Sequence, residues 1–262
     1  MKVGGIGCGN LGSSLIKGLI GAKALRSEEI MASDVSEERL RVLKKLGIQT
    51  TNNNRELVRF CDTVFIAVKP NIVEAVLKET EEFSEDKLFV SVAAGVSTKF
   101  VEARTKARVV RVMPNICGAV GEMASCFSLG SRASREDGKL VEKLLGSVGM
   151  TFKVDEELMD AVTGLSGSGP AYFYFIVKSL QEAGVELGLS SEVALKLAAQ
   201  TAKGASEVIL REGKTHEELI NMVCTPRGTT IEGLKVLEEG QVAKALKDAV
   251  KAAAKRAREL SK

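Results

Sequence analysis

Six residues constrain this chain more than any others: Gly7-Cys8-Gly9-Asn10-Leu11-Gly12. They follow an apolar run, Lys2–Ile6, that reads as a strand, and they open a helical pattern over Asn10–Gly21. In that setting each glycine has its own task. Gly7 permits the tight turn, Gly9 lets a pyrophosphate approach the backbone, and Gly12 lets helix and strand pack closely. The unpaired amides and the dipole at the helix start then favour an anion. A chain that opens this way is committed to a parallel βαβ unit.

The pattern continues. Strand-like runs at Ile30–Ser33, Thr63–Val68, Leu88–Ala93 and Val109–Val112 alternate with helical stretches at Ser36–Leu46, Ile72–Thr80 and Ser134–Ser147. Gly47–Thr51 and Met150–Val154 are weaker strand candidates. Apolar strands separated by helices predict a parallel sheet covered on both faces. After Asp155 the β signal stops. From Ser168 to Leu260 the pattern is helical, broken at Gly188-Leu189-Ser190, Gly213 and Thr225-Pro226-Arg227-Gly228. Small residues at helical spacing, such as Gly184, Ala194, Ala198 and Ala202, predict an interlocked bundle of the kind two chains can share. The expected division is a dinucleotide-binding domain over 1–157 and a helical domain over 158–262.

Composition excludes several classes. A net charge of +3 over 262 residues is too small and dispersed for a nucleic-acid partner. The longest uncharged stretch, Ala161–Val177, is punctuated by Gly, Ser and Pro and is too short to span a bilayer, so no membrane partner is expected. Five cysteines without a CxxC pair, and a single histidine, His216, argue against a disulfide frame, a metal site and a His-based hydrolase. His216 lies in "THEEL", which reads as a capping box. The opening "MKVGGIGCGN" has no apolar h-region, so the expected location is cytoplasmic.

The strand ends outline a cofactor crevice. Asp34 lies 22 residues after Gly12, where an acid accepts bonds from a ribose 2′-hydroxyl and repels a 2′-phosphate. Ser33 can reach the same ribose. If Asp34 instead points away to cap the next helix, it discriminates little. NADPH and NADH therefore both stay open. The strand ends "FIAVKPN", "SVAAGVS" and "RVMPNIC" place Ala67, Val68, Lys69 and Pro70, then Ala93, Ala94 and Gly95, then Asn115, along one edge. Lys69 is either a cofactor contact or a solvated loop lysine. On the helical side, Thr225, Thr229 and Thr230 surround Pro226 and Gly228 before a helix, a carboxylate cradle or an ordinary capping turn.

A second Gly-rich stretch, "GLSGSGPAYFYF" (Gly164–Phe175), looks like another phosphate loop but lacks a preceding strand and has Tyr172 where a third glycine is needed. It reads instead as a joint between domains, with Ser166 or Ser168 as N-cap and Pro170 in the first turn of the next helix.

Taken together, "GIGCGNLG", "AVKPN", "SVAAGVS", "RVMPN", "AVTGLSGSGPAYFYF", "AGVELGLSSEVA" and "TPRGTTIEGLKVLEEG" resemble the pyrroline-5-carboxylate reductase family in order and spacing over essentially the whole chain. The resemblance implies an N-terminal Rossmann-type sheet with an all-α dimerisation domain. It also implies reduction of a cyclic imine to L-proline with NADPH or NADH. By motif it assigns dinucleotide contacts to Ile6, Gly7, Cys8, Gly9, Asn10, Leu11, Gly12, Ser33, Asp34, Asn54, Ala67 to Pro70, Ala93 to Gly95 and Asn115. Substrate contacts fall on Glu156, Val223, Thr225, Gly228, Thr229 and Thr230, with Thr230 the catalytic partner of the ring nitrogen. The implied partners are a small molecule and a second copy of the chain, with a decamer as the higher assembly. The chain departs from the family at Arg227-Gly228, where Gly-Gly is frequent, at Ile116-Cys117 after Asn115, and at Met222.

Two rivals remain at this level. A β-hydroxyacid dehydrogenase would need a lysine four residues beyond a Gly-x-Gly; counting from Gly169 gives Phe173, and the nearest lysine is Lys178. A non-catalytic dinucleotide-binding protein is the other, while a related imine reductase stays open as a variant of the reductase reading.

Overall fold

The computed structural model describes residues 1–260. Its order begins β1 (Val3–Ile6), α1 (Asn10–Gly21), β2 (Ile30–Ser33), α2 (Glu37–Lys44), β3 (Gln49–Thr51), α3 (Asn54–Phe60), β4 (Thr63–Ile66) and α4 (Val73–Thr80). Then come β5 (Leu88–Ser91), α5 (Thr98–Glu102), β6 (Arg108–Met113), β7 (Met123–Leu129), α6 (Arg135–Gly146) and β8 (Gly149–Lys153). The remainder is helical: α7 (Met159–Val162), a π turn (Thr163–Gly167), α8 (Gly169–Glu186), α9 (Ser191–Glu212), α10 (His216–Val223), α11 (Thr229–Glu239) and α12 (Val242–Leu260).

The strands form one sheet in the order β3-β2-β1-β4-β5-β6-β7-β8. Every neighbouring pair is parallel except β6 and β7. The chain reverses direction across the sheet between β1 and β4, and in an open sheet the crevice at such a switch point takes the ligand. Strand composition explains the burial. All four residues of β1, β2, β4 and β5 are buried, as a sheet covered on both faces requires. One face packs against Leu15, Ile16 and Leu19 of α1, Leu43 of α2 and Leu144 and Leu145 of α6. The other packs against Leu57 of α3, Val73 and Leu77 of α4 and Val101 of α5.

Strand β7 was not expected. Its sequence, "MASCFSL", mixes Ser, Cys and Ala, so no β-branched run announces it. Yet Met123, Ser125 and Phe127 alternate as the buried face, the period of two a strand imposes. The all-parallel expectation is corrected at this one pairing.

Contacts divide the chain into two compact units: Met1–Pro170 together with the chain from Val250 to the end of the described residues, and Ala171–Ala249. In the second unit α9 is framed by its sequence. Ser190 caps its start, its hydroxyl accepting from the Val193 amide, and Gly213, with φ of 65°, ends it. The Thr215–Glu218 capping box of α10 is present in both directions, which leaves His216 as an ordinary first-turn residue. Among the described residues no helix is long and apolar enough to cross a membrane.

Candidate active site

The loop after β1 has the form an anion site needs. Gly7 takes a φ of 94°, and its amide donates to the Ser33 carbonyl at 2.8 Å. A Cβ at position 12 would lie 2.1 Å from the Gly7 carbonyl oxygen, so only glycine lets α1 start this close to the turn. Helix α1 begins after Gly9 with no side-chain cap and no acid in its first turn. A Cβ added at Gly9 would meet nothing within 4 Å. Gly9 and Asn10 line an open cleft at this bare helix terminus, and the pyrophosphate of a dinucleotide fits that cradle. Ile6 and Cys8 are buried beneath it, and the Ser13 hydroxyl donates to the Cys8 carbonyl at 2.8 Å. Burial first, and Asp34 second, push the Cys8 thiol up to about 12; burial does the same to Cys61.

Asp34 turns inward. Its Oδ2 accepts from the Cys8 amide at 2.6 Å and its Oδ1 from the Ser36 amide at 2.8 Å. The cap of α2 is Ser36, whose hydroxyl accepts from the Arg39 amide. The acid therefore braces the turn before the helix, and the Cys8 amide is occupied by a carboxylate. Ser33 is buried and donates to Asn54 Oδ1 at 2.7 Å, while Asn54 Nδ2 donates to Glu79 at 2.8 Å.

Because β1, β4, β5 and β6 are parallel, the loops that follow them emerge at one edge of the sheet. Ala67, Val68, Lys69 and Pro70 follow β4, and the Ala67 amide donates to the Ile6 carbonyl at 2.8 Å. Ala93, Ala94 and Gly95 follow β5, with Ala93 buried. Asn115 follows β6 and is nearly enclosed. Its Oδ1 accepts from the Cys117 amide at 3.1 Å, and its Nδ2 donates to the Ser166 carbonyl at 3.2 Å.

That last bond explains the second Gly-rich stretch. Pro170 has no N–H, so the carbonyl four residues earlier, Ser166, lacks its helical donor; Asn115 supplies one. Neither serine is an N-cap, contrary to the sequence expectation. The chain passes from α7 through the π turn, in which the Ser168 amide donates to Thr163 and the Ser166 hydroxyl to Val162. A Cβ at Gly164 would lie 2.5 Å from the Val250 carbonyl, so α12 packs directly on this turn.

The threonine loop lies in the second unit. The Gly228 amide donates to the Thr225 carbonyl at 2.8 Å, closing the turn, and Gly228 is the N-cap of α11 with no side-chain bond. Thr229 and Thr230 are the first residues of that helix, Thr230 half-buried, Thr225 and Val223 exposed. The arrangement leaves three threonine hydroxyls and the first-turn amides of α11 on one short segment, the donors a carboxylate needs.

A pyrroline-5-carboxylate reductase from Pisum sativum is 42% identical over 99% of this chain and 96% of its own length. One from Methanosarcina acetivorans is 43% identical, covering 100% of this chain and 98% of that protein. The chain belongs to the pyrroline-5-carboxylate reductase family. The family model for pyrroline-5-carboxylate reductase dimerisation matches residues 156–260, and that for NADP oxidoreductase, coenzyme F420-dependent, matches residues 2–95. Among solved structures, a Plasmodium falciparum pyrroline carboxylate reductase with NADP bound superposes at a TM-score of 0.92, with 31% identity over 100% of this chain and 98% of that one. The Coxiella burnetii pyrroline-5-carboxylate reductase gives 0.90 and 34% identity over the same shares.

Two positions singled out by resemblance to the reductases have local roles. Arg227 holds a φ of 61°, the left-handed conformation that glycine adopts freely. Glu156 accepts from the Thr98 amide at 2.7 Å, from the Thr98 hydroxyl, and from Arg111 at 3.3 Å. Arg111 itself went unread in the sequence. It is buried on β6 and also lies 3.8 Å from Asp160. The available signal was a charge inside an otherwise apolar strand, "RVVRVM". Its guanidinium and the Glu156 carboxylate clamp together β6, the start of α5 and the segment leading into α7.

Proposed function

We propose that this protein reduces 1-pyrroline-5-carboxylate to L-proline, the last step of proline synthesis, with NADPH or NADH as reductant. One observation carries the reading: an uncapped, acid-free helix start at the sheet's switch point stands in one chain with a helical part that matches the family's dimerisation model. When bound, the nicotinamide supplies a hydride, here to C5 of the imine. The residues that would hold the dinucleotide are the Gly7–Gly12 loop, Ser33 and Asn54, and the loops at Ala67 to Pro70, Ala93 to Gly95 and Asn115. Made of small residues, the loop from Ala93 to Gly95 leaves room for a flat ring against backbone.

The substrate's carboxylate is assigned to Thr225, Gly228 and Thr229, and its ring nitrogen to the Thr230 hydroxyl. Val223 gives the apolar side of that subsite, and Glu156 holds Thr98 at the start of α5. A cyclic imine is basic enough to arrive protonated, so the chain needs no strong general acid, and the only histidine is a first-turn residue of α10. Thr230 orients the nitrogen. We assign residues 1–157 to cofactor binding and 158–262 to substrate binding and dimerisation. The working assembly is a homodimer, extended to a decamer, in the cytoplasm.

The test is steady-state oxidation of NADPH and of NADH with 1-pyrroline-5-carboxylate, run beside 3-hydroxy acids in the reverse direction. Turnover with the imine and none with the hydroxy acids is expected. Turnover of the hydroxy acids alone, or tight dinucleotide binding without turnover, would overturn the reading.

A further inference from the structure

Read from the sequence, Asp34 is the acid that disfavours a 2′-phosphate. In the fold it cannot play that part outright. Both oxygens are taken by the Cys8 and Ser36 amides, and its side chain is 5% exposed. The group presented to solvent at this corner is Arg39, in the first turn of α2, 56% exposed, with Nη1 3.5 Å from the same carboxylate. Only one edge of its fork faces Asp34, so the other donors remain available. Arg39 and Lys17 line an open cleft of about 320 Å³ that also includes Cys8, Gly9 and Asn10 of the phosphate loop. Glu37 and Glu38, the acids of the same turn, do not line it.

We infer that Arg39 takes the ribose 2′-phosphate of a phosphorylated dinucleotide and tilts this chain toward NADPH over NADH. Three features support the assignment. The acid is neutralised by two amides and one guanidinium edge, the cleft opens directly from the phosphate loop, and its charged side chains are both cations. A planar fork also suits a phosphate monoester better than an ammonium does. Asp34 is then a positioning residue that orients Arg39.

This inference rests on the dinucleotide reading above, and the experiment separates the two. Isothermal titration of the full-length protein with 2′,5′-ADP and with 5′-ADP measures fragment affinity without turnover. Arg39→Ala is expected to weaken 2′,5′-ADP by at least about tenfold, the scale of one charge-assisted hydrogen bond. Binding of 5′-ADP should be unchanged, and Arg39→Lys should restore part of the loss. Because Arg39→Ala also unmasks the Asp34 charge, the same substitution in an Asp34→Asn background must still lower the preference for the 2′-phosphate. Equal losses for the two fragments, no loss, or a loss that vanishes in the Asp34→Asn background would overturn the inference while leaving the dinucleotide reading intact. A wild-type protein that binds neither fragment overturns both.

Discussion

The two compact units bury their apolar residues very differently. In Met1–Pro170, both faces of the sheet are covered by the chain's own helices, and residues such as Leu43, Leu57, Phe89 and Leu145 have essentially no exposure. In Ala171–Ala249, Ala194 alone is buried among the described residues, while Phe175, Leu187 and Leu210 stand 71%, 87% and 60% exposed. Both stretches have regular capped elements, so the difference does not lie in local propensity. A doubly wound sheet supplies its own second and third layers. A run of helices with close-packing residues such as Gly184 against Ala194 but no enclosed core needs another surface. The dimerisation model matched by this part of the chain is consistent with a second copy being that surface.

The largest test of that contrast removes the uncovered apolar groups. Phe175→Glu combined with Leu210→Glu should convert the assembly to monomers by light scattering. The cost is about 3–6 kcal/mol per protomer, at roughly 1.5–3 kcal/mol for each large apolar side chain. Helical circular dichroism should fall with it, while the sheet unit stays folded. If the double variant stays a dimer, these faces are not what the partner covers.

Next in size is a break inside the self-sufficient unit. Arg111→Met leaves Glu156 with only its Thr98 bonds and Asp160 with Arg258, and the expected loss is about 1–3 kcal/mol in urea unfolding. Arg111→Lys should recover part of it. Thr230→Ala should cost about 1–3 kcal/mol in kcat/KM, roughly 5-fold to 150-fold, with an unchanged unfolding midpoint. An unchanged kcat/KM would remove Thr230 from its assigned role.

The smallest effect concerns thiols. Cys8 and Cys61 are raised to about 12, and the thiolate is the reactive form. Both should therefore resist alkylation in the native protein at neutral pH and remain slow until the pH approaches that value. Rapid labelling of Cys8 at neutral pH would mean that the core of the sheet unit opens readily.

The legible parts of the molecule were those written in local pattern. Gly7, Gly9 and Gly12 after an apolar strand announce the loop, and short apolar runs between helical patterns announce β1, β2, β4, β5 and β6. What stayed hidden depends on contacts distant in sequence. Strand β7 is held by pairing with β6 and β8, which its Ser and Cys residues do not advertise. Within the π turn, the Ser166 carbonyl that Pro170 leaves bare is satisfied by Asn115, a bond spanning 51 residues. Asp34 reads as a ribose ligand by spacing alone; its direction is decided by the Cys8 amide, 26 residues away. The threonine loop was legible as a carboxylate cradle or a capping turn, while the roles of Glu156 and of Thr230 toward the ring nitrogen came from resemblance.

The most direct test of the reductase reading follows the hydrogen itself. Incubation of the enzyme with 1-pyrroline-5-carboxylate and NADPH deuterated at nicotinamide C4, on the transferred face, should yield L-proline with one deuterium at C5, seen by mass spectrometry and NMR. Proline without the label, or label at any other carbon, would contradict a direct hydride transfer to the imine.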